Sequence, residues 1–378
     1  MPEIHAKLSA SSSHRWLHCP PSVKLEEDFP EYTSDYAQEG TLAHSICELK
    51  LSKQYAPMGP RTFTTRFNKL KKDAFYKDEM DRYTDDYVDF IKGQTIAFES
   101  KPTVLIEKQV SFGNYVPEGF GTSDCIIIGG DIIEVVDFKY GKGVEVSAEE
   151  NPQMMLYALG ALDTYGMLYD IKTVKMSIVQ PRINNYSTWT VDTQYLRNWG
   201  ESIKQTAQMA FNGEGEFNSG EWCRFCKAKA TCRARAEKNL ELAKLDFAKG
   251  ETLTNDEIGD ILVKAQDLAQ WAADLKDHAL QECLNGNDIA GWKAVEGRSV
   301  RQFKNTEDAF KVVTDSGIDE AMLYERKPIT LTAVEKLLGK KAFEELLADE
   351  VIKPQGKPTL VPITDKRPVY STIEKDFE

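Results

Sequence analysis

Two aspartates and a lysine lie on two neighbouring segments that have the composition of β-strands. Asp124 belongs to the first segment, and Asp137 and Lys139 belong to the second, with Gly129-Gly130 between them as in a tight hairpin. Side chains alternate between the two faces of a strand. A two-residue Gly129-Gly130 loop therefore places the three charged side chains on one face, with the aspartates as diagonal neighbours.

Two carboxylates this close repel each other unless a cation lies between them. Oxygen ligands favour a hard divalent ion, so we expect Mg²⁺ or Mn²⁺, with Lys139 at the edge of the site. A D-x-K pattern also occurs on exposed hairpins that have no catalytic role. The apolar run before Asp137, however, indicates a buried strand, where unpaired charges cost several kcal/mol.

The cysteines suggest a second site. Three of the seven form a C-x2-C-x5-C pattern, and a fourth lies far upstream, followed by proline; these four are Cys19, Cys223, Cys226 and Cys232. Four thiolates brought together can hold zinc or an iron–sulfur cluster. The other three, Cys47, Cys125 and Cys283, are predicted to be small buried residues.

The elements that must position these residues follow a mixed α/β order. The pattern predicts a helix over 40–53 and a strand over 103–112, followed by the two hairpin strands, 119–128 and 132–140. A capping box, Ser147 to Glu150, is predicted to open a helix that runs to about Thr164. Two further strands are predicted over 174–179 and 186–191.

The character of the sequence changes near residue 240, where we place a boundary between two domains, 1–240 and 241–378. A second capping box, Thr254 to Glu257, is predicted to open a long helix that ends at Gly286. Its apolar stripe indicates core packing or a surface for a partner helix. A β-like stretch (291–303), two more helices and a proline-rich end (353–368) follow.

Charge alone does not decide the class of ligand. The chain carries a net charge of −13, and residues 241–378 contain 27 acids against 19 bases. Such acidity opposes phosphate binding, so the C-terminal region is expected to contact a protein partner or to regulate access to the site. Two basic runs lie elsewhere and are either solvated helix faces or nucleic-acid contacts; they are Arg61, Arg66, Lys69, Lys71 and Lys72, and Arg224, Lys227, Lys229, Arg233 and Arg235.

No apolar run approaches the roughly 20 residues that a membrane span needs. The first residues also lack the apolar core of a secretory leader. We therefore expect a cytoplasmic protein without a membrane partner.

Three motifs resemble the RecB-type branch of the PD-(D/E)XK nucleases. They are Gly121-Thr-Ser-Asp124, then Glu134-Val-Val-Asp137-Phe-Lys139, then Gln153-x3-Tyr157. The segment Glu39 to His44 resembles the upstream helix of that branch, whose histidine is a metal ligand. The four cysteines are similar to those that hold a [4Fe–4S] cluster in AddB-type and CRISPR-adaptation nucleases.

The resemblance spans about residues 8–235 and is greatest to a phage- or prophage-encoded branch. Ser123 stands where the first motif usually has proline, and the helicase regions of RecB and AddB are missing. The resemblance implies a PD-(D/E)XK core, with a mixed central sheet flanked by helices, and a mainly helical α+β region after it. It also implies an Mg²⁺- or Mn²⁺-dependent deoxyribonuclease, expected to be an exonuclease in phage DNA recombination, repair or processing.

The resemblance further implies roles for individual residues. His44, Asp124, Asp137 and the main-chain carbonyl of Phe138 would hold the metal. Lys139 would orient the attacking water, and Gln153 and Tyr157 would position the scissile strand; these five catalytic residues are Asp124, Asp137, Lys139, Gln153 and Tyr157. DNA is the expected partner, with a helicase, a single-strand-binding protein or a recombination protein contacting the C-terminal region.

Two other classes stay open. One is a catalytically weak DNA-binding or recombination-accessory protein, which the intact Asp124, Asp137 and Lys139 argue against. The other is a structural protein built around a zinc knot. Without the resemblance, His44 is as well explained by a hydrogen-bonded helix histidine, and Gln153 and Tyr157 by an ordinary helix surface.

Overall fold

A computed structural model describes residues 6–30, 34–241, 254–296, 304–324, 331–347 and 350–351. The chain divides into two compact units, Met1–Ala294 and Val295–Glu378. The candidate site residues all belong to the first unit. Among the described residues, no helix combines the length and apolarity needed to cross a bilayer.

A five-stranded mixed sheet lies at the centre of the first unit. Its strands, in spatial order, are β1 (Thr103–Ser111), β2 (Phe120–Gly129), β3 (Ile132–Phe138), β4 (Thr173–Gln180) and β5 (Asn185–Asp192). All neighbours are antiparallel except β3 and β4, which are parallel. A parallel pair needs a crossover connection, and a helix between β3 and β4 provides it. The predicted strands and the mixed α/β class are confirmed.

The hairpin between β2 and β3 differs from the predicted one in its register. Ile128 pairs with Ile133 and Gly129 with Ile132, so the two-residue loop is Gly130-Asp131. Gly130 takes the positive φ of the turn, 57°. Gly129 lies in β2, where a Cβ would lie 2.6 Å from the Phe98 ring, so that position needs glycine for packing and not for the turn. The predicted diagonal pairing was therefore wrong, although the loop length, and hence the shared face, was right.

Helices cover both faces of this sheet. The helices of the first unit are α1 (Ser13–His18), α2 (Ser22–Glu26), α3 (Asp35–Tyr55), α4 (Pro60–Leu70), α5 (Glu79–Ile96), α6 (Pro152–Tyr165), α7 (Thr193–Asn212), α8 (Arg233–Leu240) and α9 (Asn255–Leu284). Buried side chains of α6 and α7 share one core with Ile126, Ile133 and Val135 of the sheet. Those of α3 and α5 share a second core with Ile127 and Val136. Alternate residues of β2 and β3 thus enter opposite cores.

The start of α6 was predicted too early. The helix begins at Pro152, not at the predicted Ser147–Glu150 capping box. Glu150 has a left-handed φ of 50°, which is not helical. Asn151 is the N-cap instead, its side chain accepting hydrogen bonds from the amides of Gln153 and Met154. Proline fits the first helical turn because its missing N–H has no partner there.

The long helix α9 follows its prediction closely. Thr254 and Glu257 form the expected capping box, and Gly286, with φ 89°, follows its end. The compact unit that contains α9 extends to Ala294, whereas the predicted boundary lies near residue 240. The observed unit is longer than the predicted domain because α9 packs on the residues next to Cys226 and Cys232. Trp271, which is buried, donates a hydrogen bond to the Ala230 carbonyl.

The second unit contains helices α10 (Thr306–Asp315), α11 (Leu331–Leu338) and α12 (Lys340–Leu347). Two helices were predicted there, and the described residues contain three. Residues 297–303 of the predicted β-like stretch lie outside the described residues, as does the proline-rich end. Within the described part of that stretch, Trp292 forms an isolated bridge with Ile289.

Candidate functional site

Three carboxylates occupy one row across β1, β2 and β3. Ile106 pairs with Cys125 and Lys108 with Ser123, so the register places Glu107 opposite Asp124. The register of the hairpin, continued by one residue beyond the pair of Cys125 with Val136, places Asp124 opposite Asp137. Asp124 is thus the central member of the row.

A histidine from α3 reaches the central carboxylate. His44 Nδ1 lies 3.2 Å from Asp124 Oδ1, and the ring of His44 lies edge-on to that of Phe138. The other carboxylate oxygen, Asp124 Oδ2, accepts a hydrogen bond from the Phe138 amide at 2.7 Å. Ala43 and Cys47, which flank His44 on α3, are buried in the core against the sheet. That packing fixes the helix so that His44 points at Asp124.

Asp137 lies in a triangle with Lys139 and Gln153. Gln153 Nε2 donates to Asp137 Oδ1 at 3.1 Å, and Lys139 Nζ donates to Gln153 Oε1 at 3.0 Å. Lys139 Nζ also lies 3.1 Å from Asp137 Oδ2. That contact is an ion pair without hydrogen-bond geometry, so the buried Oδ2 has no hydrogen-bond partner among the described residues. Such an atom in a folded protein calls for an explanation, and an ion is one.

The surroundings of the two aspartates shift their pKa values in opposite directions. Burial raises the pKa of Asp137, and the charge of Asp124 adds to the rise against the opposing charge of Lys139. Burial would also raise the pKa of Asp124, but the charge and hydrogen bond of His44 and the Phe138 amide hold it below its usual value. Two neighbouring carboxylates whose pKa values shift in opposite directions repel each other when both are charged. A bound cation would reduce that repulsion.

Tyr157 lies one turn after Gln153 on α6, above the strand that carries Asp124. A Cβ at Gly121 would lie 2.7 Å from the Tyr157 ring, so the ring occupies the space that a side chain at 121 would fill. Burial, followed by the charges of Asp137 and Asp124, raises the pKa of the Tyr157 hydroxyl well above its usual range. The glycine of the Gly121-Thr-Ser-Asp124 segment therefore makes room for Tyr157 beside the carboxylates.

The structure brings together every residue predicted for the metal and catalytic site, and it adds Glu107. Among the described residues, one group of His, Cys and acidic side chains has its ligand atoms within 4.8 Å of one another: His44, Glu107 and Asp124. The sequence reasoning missed Glu107 because its place depends on the pairing of β1 with β2. Its only local signal is an acid directly after the apolar run 104–106.

The four cysteines predicted to bind a cofactor line one cavity, together with Arg15, Trp222 and Lys229. Cys19 ends α1 and Cys232 precedes α8, while Cys223 and Cys226 belong to the turn before α8. Burial raises the pKa of the Cys19 thiol and raises that of Cys226 to about 12. A cation bound in the cavity would hold these thiols as thiolates.

The thiol spacing bears on which cofactor fits. Within the described part of the chain, which includes all four cysteines, no three of the sulfurs lie within 4.8 Å of one another. Sulfurs around one tetrahedral zinc ion lie about 3.8 Å apart, given a Zn–S distance near 2.3 Å. The amides of Asn218 and Gly220 donate to the sulfurs of Cys19 and Cys223, each at 3.5 Å. Such bonds to sulfur tune iron–sulfur clusters.

Comparison with known proteins gives a family, and a distant solved structure is among the structural matches. The model of a family described as "Protein of unknown function (DUF2800)" matches residues 5–368. A solved structure titled "Crystal structure of SSO0001" is 14% identical, over 60% of this chain and 85% of that chain, with a TM-score of 0.27. A superposition this weak carries no argument about function.

Proposed function

This chain belongs to the DUF2800 family, and we propose that it is an Mg²⁺- or Mn²⁺-dependent deoxyribonuclease with a PD-(D/E)XK core of the RecB-like type. The observation that carries the proposal is the Asp137 carboxylate. It is 4% exposed, faces Asp124, contacts Lys139 and keeps one oxygen without a hydrogen bond. A buried carboxylate and a half-buried one beside a lysine are suited to metal-assisted hydrolysis of a phosphodiester.

Different residues of the chain would bind the metal, orient the attacking water and contact the DNA. Asp124, Asp137, the Phe138 carbonyl and His44 would hold the metal, whose chemistry is to lower the pKa of water and to neutralise charge on phosphate. Lys139 would hold the attacking water and stabilise negative charge as it develops. Gln153 bonds to both Lys139 and Asp137, so it fixes the ammonium beside the carboxylate. Tyr157 borders the same face and would contact the DNA strand.

For the cysteine cavity we propose a [4Fe–4S] cluster that closes the nuclease core. Among the described residues no three of the sulfurs lie within 4.8 Å of one another, which favours a cluster of several irons over one zinc ion. A link between Cys19 and Cys223 joins the two ends of the core, which in the chain-entropy model is worth about 5 kcal/mol. The cluster would then act on stability, because the carboxylate centre lies elsewhere in the fold.

The biological setting is proposed from the resemblance. The activity would be that of an exonuclease in phage or prophage DNA recombination, repair or processing. The C-terminal region would contact a helicase, a single-strand-binding protein or a recombination protein. Of the alternatives, the accessory protein with a degenerate centre is disfavoured by the contacts among Asp137, Lys139 and Gln153.

The test is digestion of end-labelled single- and double-stranded DNA by anaerobically purified protein. We expect cleavage with Mg²⁺ or Mn²⁺, none with a chelator, and none by the Asp137→Asn variant. The matched control is Asp170→Asn, an exposed aspartate in the loop before β4, which should cleave normally. Metal-independent cleavage, or normal cleavage by Asp137→Asn, would contradict the proposal.

A further inference from the structure

We infer that the outer side of α4 binds the phosphate backbone of duplex DNA and leads it toward the carboxylate centre. This inference rests on the proposed function and deepens it, because it names the form of the DNA and the surface that holds it. The first basic run of the sequence, for which a solvated helix face and a nucleic-acid contact were both open, lies in α4 and directly after it.

The helix α4 has an inner side and an outer side. Phe63, Phe67 and Leu70 are half-buried on the inner side, and the last two pack on the core that α3 and α5 share. No residue of α4 is buried. The outer side consists of two neighbouring rows of exposed residues at helical spacing; they are Arg61, Thr65 and Lys69 in one row, and Thr62 and Arg66 in the next.

The contacts between α4 and α3 show in which direction α4 runs. Lys53 Nζ lies 4.2 Å from the centre of the Phe63 ring, and Lys50 Nζ lies 5.6 Å from the centre of the Phe67 ring. The helix α4 is therefore antiparallel to α3 and runs back toward His44. At a rise of about 1.5 Å per residue, Lys50 lies about 9 Å along α3 from His44. The last turn of α4 is thus nearer to the carboxylate centre than its first turn.

The bases of the outer side are not neutralised by acids. Residues 49–72 contain seven lysines and arginines and no acid, although acids outnumber bases by 60 to 47 in the whole chain. Lys50 Nζ lies 2.7 Å from Asp85 Oδ1 of α5. Lys71 Nζ lies 2.7 Å from Asp81 Oδ2 of the same helix. Within the part of the chain that the structure describes, four bases form no ion pair; they are Arg61, Arg66, Lys69 and Lys72.

The stability of the helix explains only some of these charges. A base in the last turn is favourable, because the carboxyl end of a helix carries partial negative charge, and this accounts for Lys69. Arg61 lies in the first turn, where a base is unfavourable and where α4 has no acid to balance it. Arg61 therefore weakens the helix, and a bound phosphate would offset that effect.

The chemistry of the outer side fits a duplex better than unpaired bases. Guanidinium and ammonium groups are common contacts to DNA phosphates. Sites for single strands add exposed aromatic rings on which bases stack, whereas the rings of α4, Phe63 and Phe67, are half-buried on its inner side. Duplex DNA carries one charge per about 1.7 Å of its axis, and the 11 residues of α4 span about 16 Å. A duplex that lies along α4 would bring several phosphates within reach of its bases.

The experiment measures DNA binding in EDTA, where metal-dependent cleavage does not occur. The fluorescence anisotropy of a labelled blunt-ended duplex, and of one of its strands alone, is followed during titration with full-length, anaerobically purified protein. At about 0.1 M salt, we expect Arg66→Gln/Lys69→Gln to bind the duplex at least about 20-fold more weakly. The slope of log K against log salt concentration should fall by about 2, since each phosphate contact contributes about 0.9. The unmodified protein should bind the duplex more tightly than the single strand.

The matched control is Lys101→Gln/Lys172→Gln. It removes the same charge at exposed positions near the end of the sheet that is remote from Asp124. We expect this variant to bind the duplex within about twofold of the unmodified protein, because salt screens such distant charges. Both variants should keep the Tm of the unmodified protein, since all four side chains are exposed.

The outcomes separate this surface from the proposed nuclease. Equal weakening by the two variants would show that net charge governs binding, and absence of duplex binding by the unmodified protein would be equally fatal to the inference. A loss of single-strand affinity as large as the loss for the duplex would overturn the assignment to duplex DNA. Normal duplex binding by the α4 variant, together with metal-dependent cleavage, would refute the surface and leave the nuclease intact. The expected loss of binding in a protein that cleaves no DNA would refute the nuclease and leave the surface.

Discussion

At the residue scale, the centre depends on contacts that side-chain alternation could predict in part. The two-residue hairpin loop was enough to place Asp124, Asp137 and Lys139 on one face, even though the predicted register was shifted by two residues. Glu107 could not be predicted, because nothing local in the sequence fixes how β1 pairs with β2. The role of Gln153 was likewise visible only once its bonds to Lys139 and Asp137 were known.

The bonds of Gln153 lead to a prediction about cleavage. Replacing Gln153 by leucine removes the acceptor of Lys139 and a donor to Asp137 while keeping most of the side-chain volume. We expect cleavage to fall by about 10–100-fold, with the number of bound Mn²⁺ ions unchanged. The control is Gln208→Leu, an exposed glutamine of α7. Equal rates for the two variants would show that Gln153 does not position Lys139.

The pair of His44 and Asp124 leads to a prediction about pH. Burial lowers the pKa of His44, but the charge and hydrogen bond of Asp124 outweigh it and raise the pKa to about 9. In metal-free protein, the pair should therefore stabilise the fold fully below the unfolded pKa of about 6.5. That contribution is lost as the pH rises through about 9.

The measurement is the Tm of metal-free protein between pH 6 and pH 10, compared with that of His44→Gln. The difference in Tm should be largest near pH 6 and should vanish above about pH 9. His278→Gln, on α9, is the control. A difference that does not change with pH would mean that the charge of His44 contributes nothing.

At the element scale, predictions were best where one helix or strand carries its own signals. The capping box of α9 was correct, because Thr254 and Glu257 satisfy each other's backbone locally. The capping box proposed for α6 was wrong, because Asn151-Pro152 offers a better start. For the second basic run a solvated face and a nucleic-acid contact were both left open, and Arg235 fits neither, since it is 1% exposed and bonds to Asp267 and Asp274 of α9.

The buried guanidinium of Arg235 joins α9 to the segment that carries Cys223, Cys226 and Cys232. Asp274 accepts from Arg235 at 2.8 Å and also pairs with Lys229, between the cysteines. Asp274→Ala should lower the free energy of unfolding by about 2 kcal/mol, because the buried Arg235 guanidinium loses one of its two carboxylate partners. Asp277→Ala, an exposed position on the same helix, should change it by less than about 0.5 kcal/mol. Chemical denaturation of cluster-loaded protein measures both, and equal midpoints would contradict the role of Asp274.

At the scale of the whole molecule, the sequence showed that the composition changes near residue 240. It did not show that the folded unit extends to Ala294. Composition changes there because the acidic surplus begins, whereas the limit after Ala294 depends on the packing of α9, which is a long-range property. A nuclease core that ends near residue 240 would lack Asp267 and Asp274, the partners of Arg235.

This difference can be tested by truncation. A chain that ends after Ala294 keeps the first unit and should retain its iron, its Mn²⁺ binding and its Tm within a few degrees. A chain that ends after Glu241 removes α9, leaves Arg235 without its carboxylates and should lose both stability and iron. Iron content and limited proteolysis of the two proteins measure the effect. Equal stability of the two truncated proteins would show that the folded unit ends near residue 240, as predicted from the sequence.

The central claim, that Lys139 acts on DNA beside a metal held by Asp124 and Asp137, is tested most directly by Lys139→Met. Cleavage of end-labelled DNA and Mn²⁺ binding should be measured on the same preparation. The control is Lys172→Met, an exposed lysine at the opposite end of the β3–β4 pair. We expect Lys139→Met to bind Mn²⁺ normally and to cleave at least about 100-fold more slowly, while Lys172→Met cleaves at the normal rate. Cleavage by Lys139→Met within a few-fold of the unmodified protein would contradict the account.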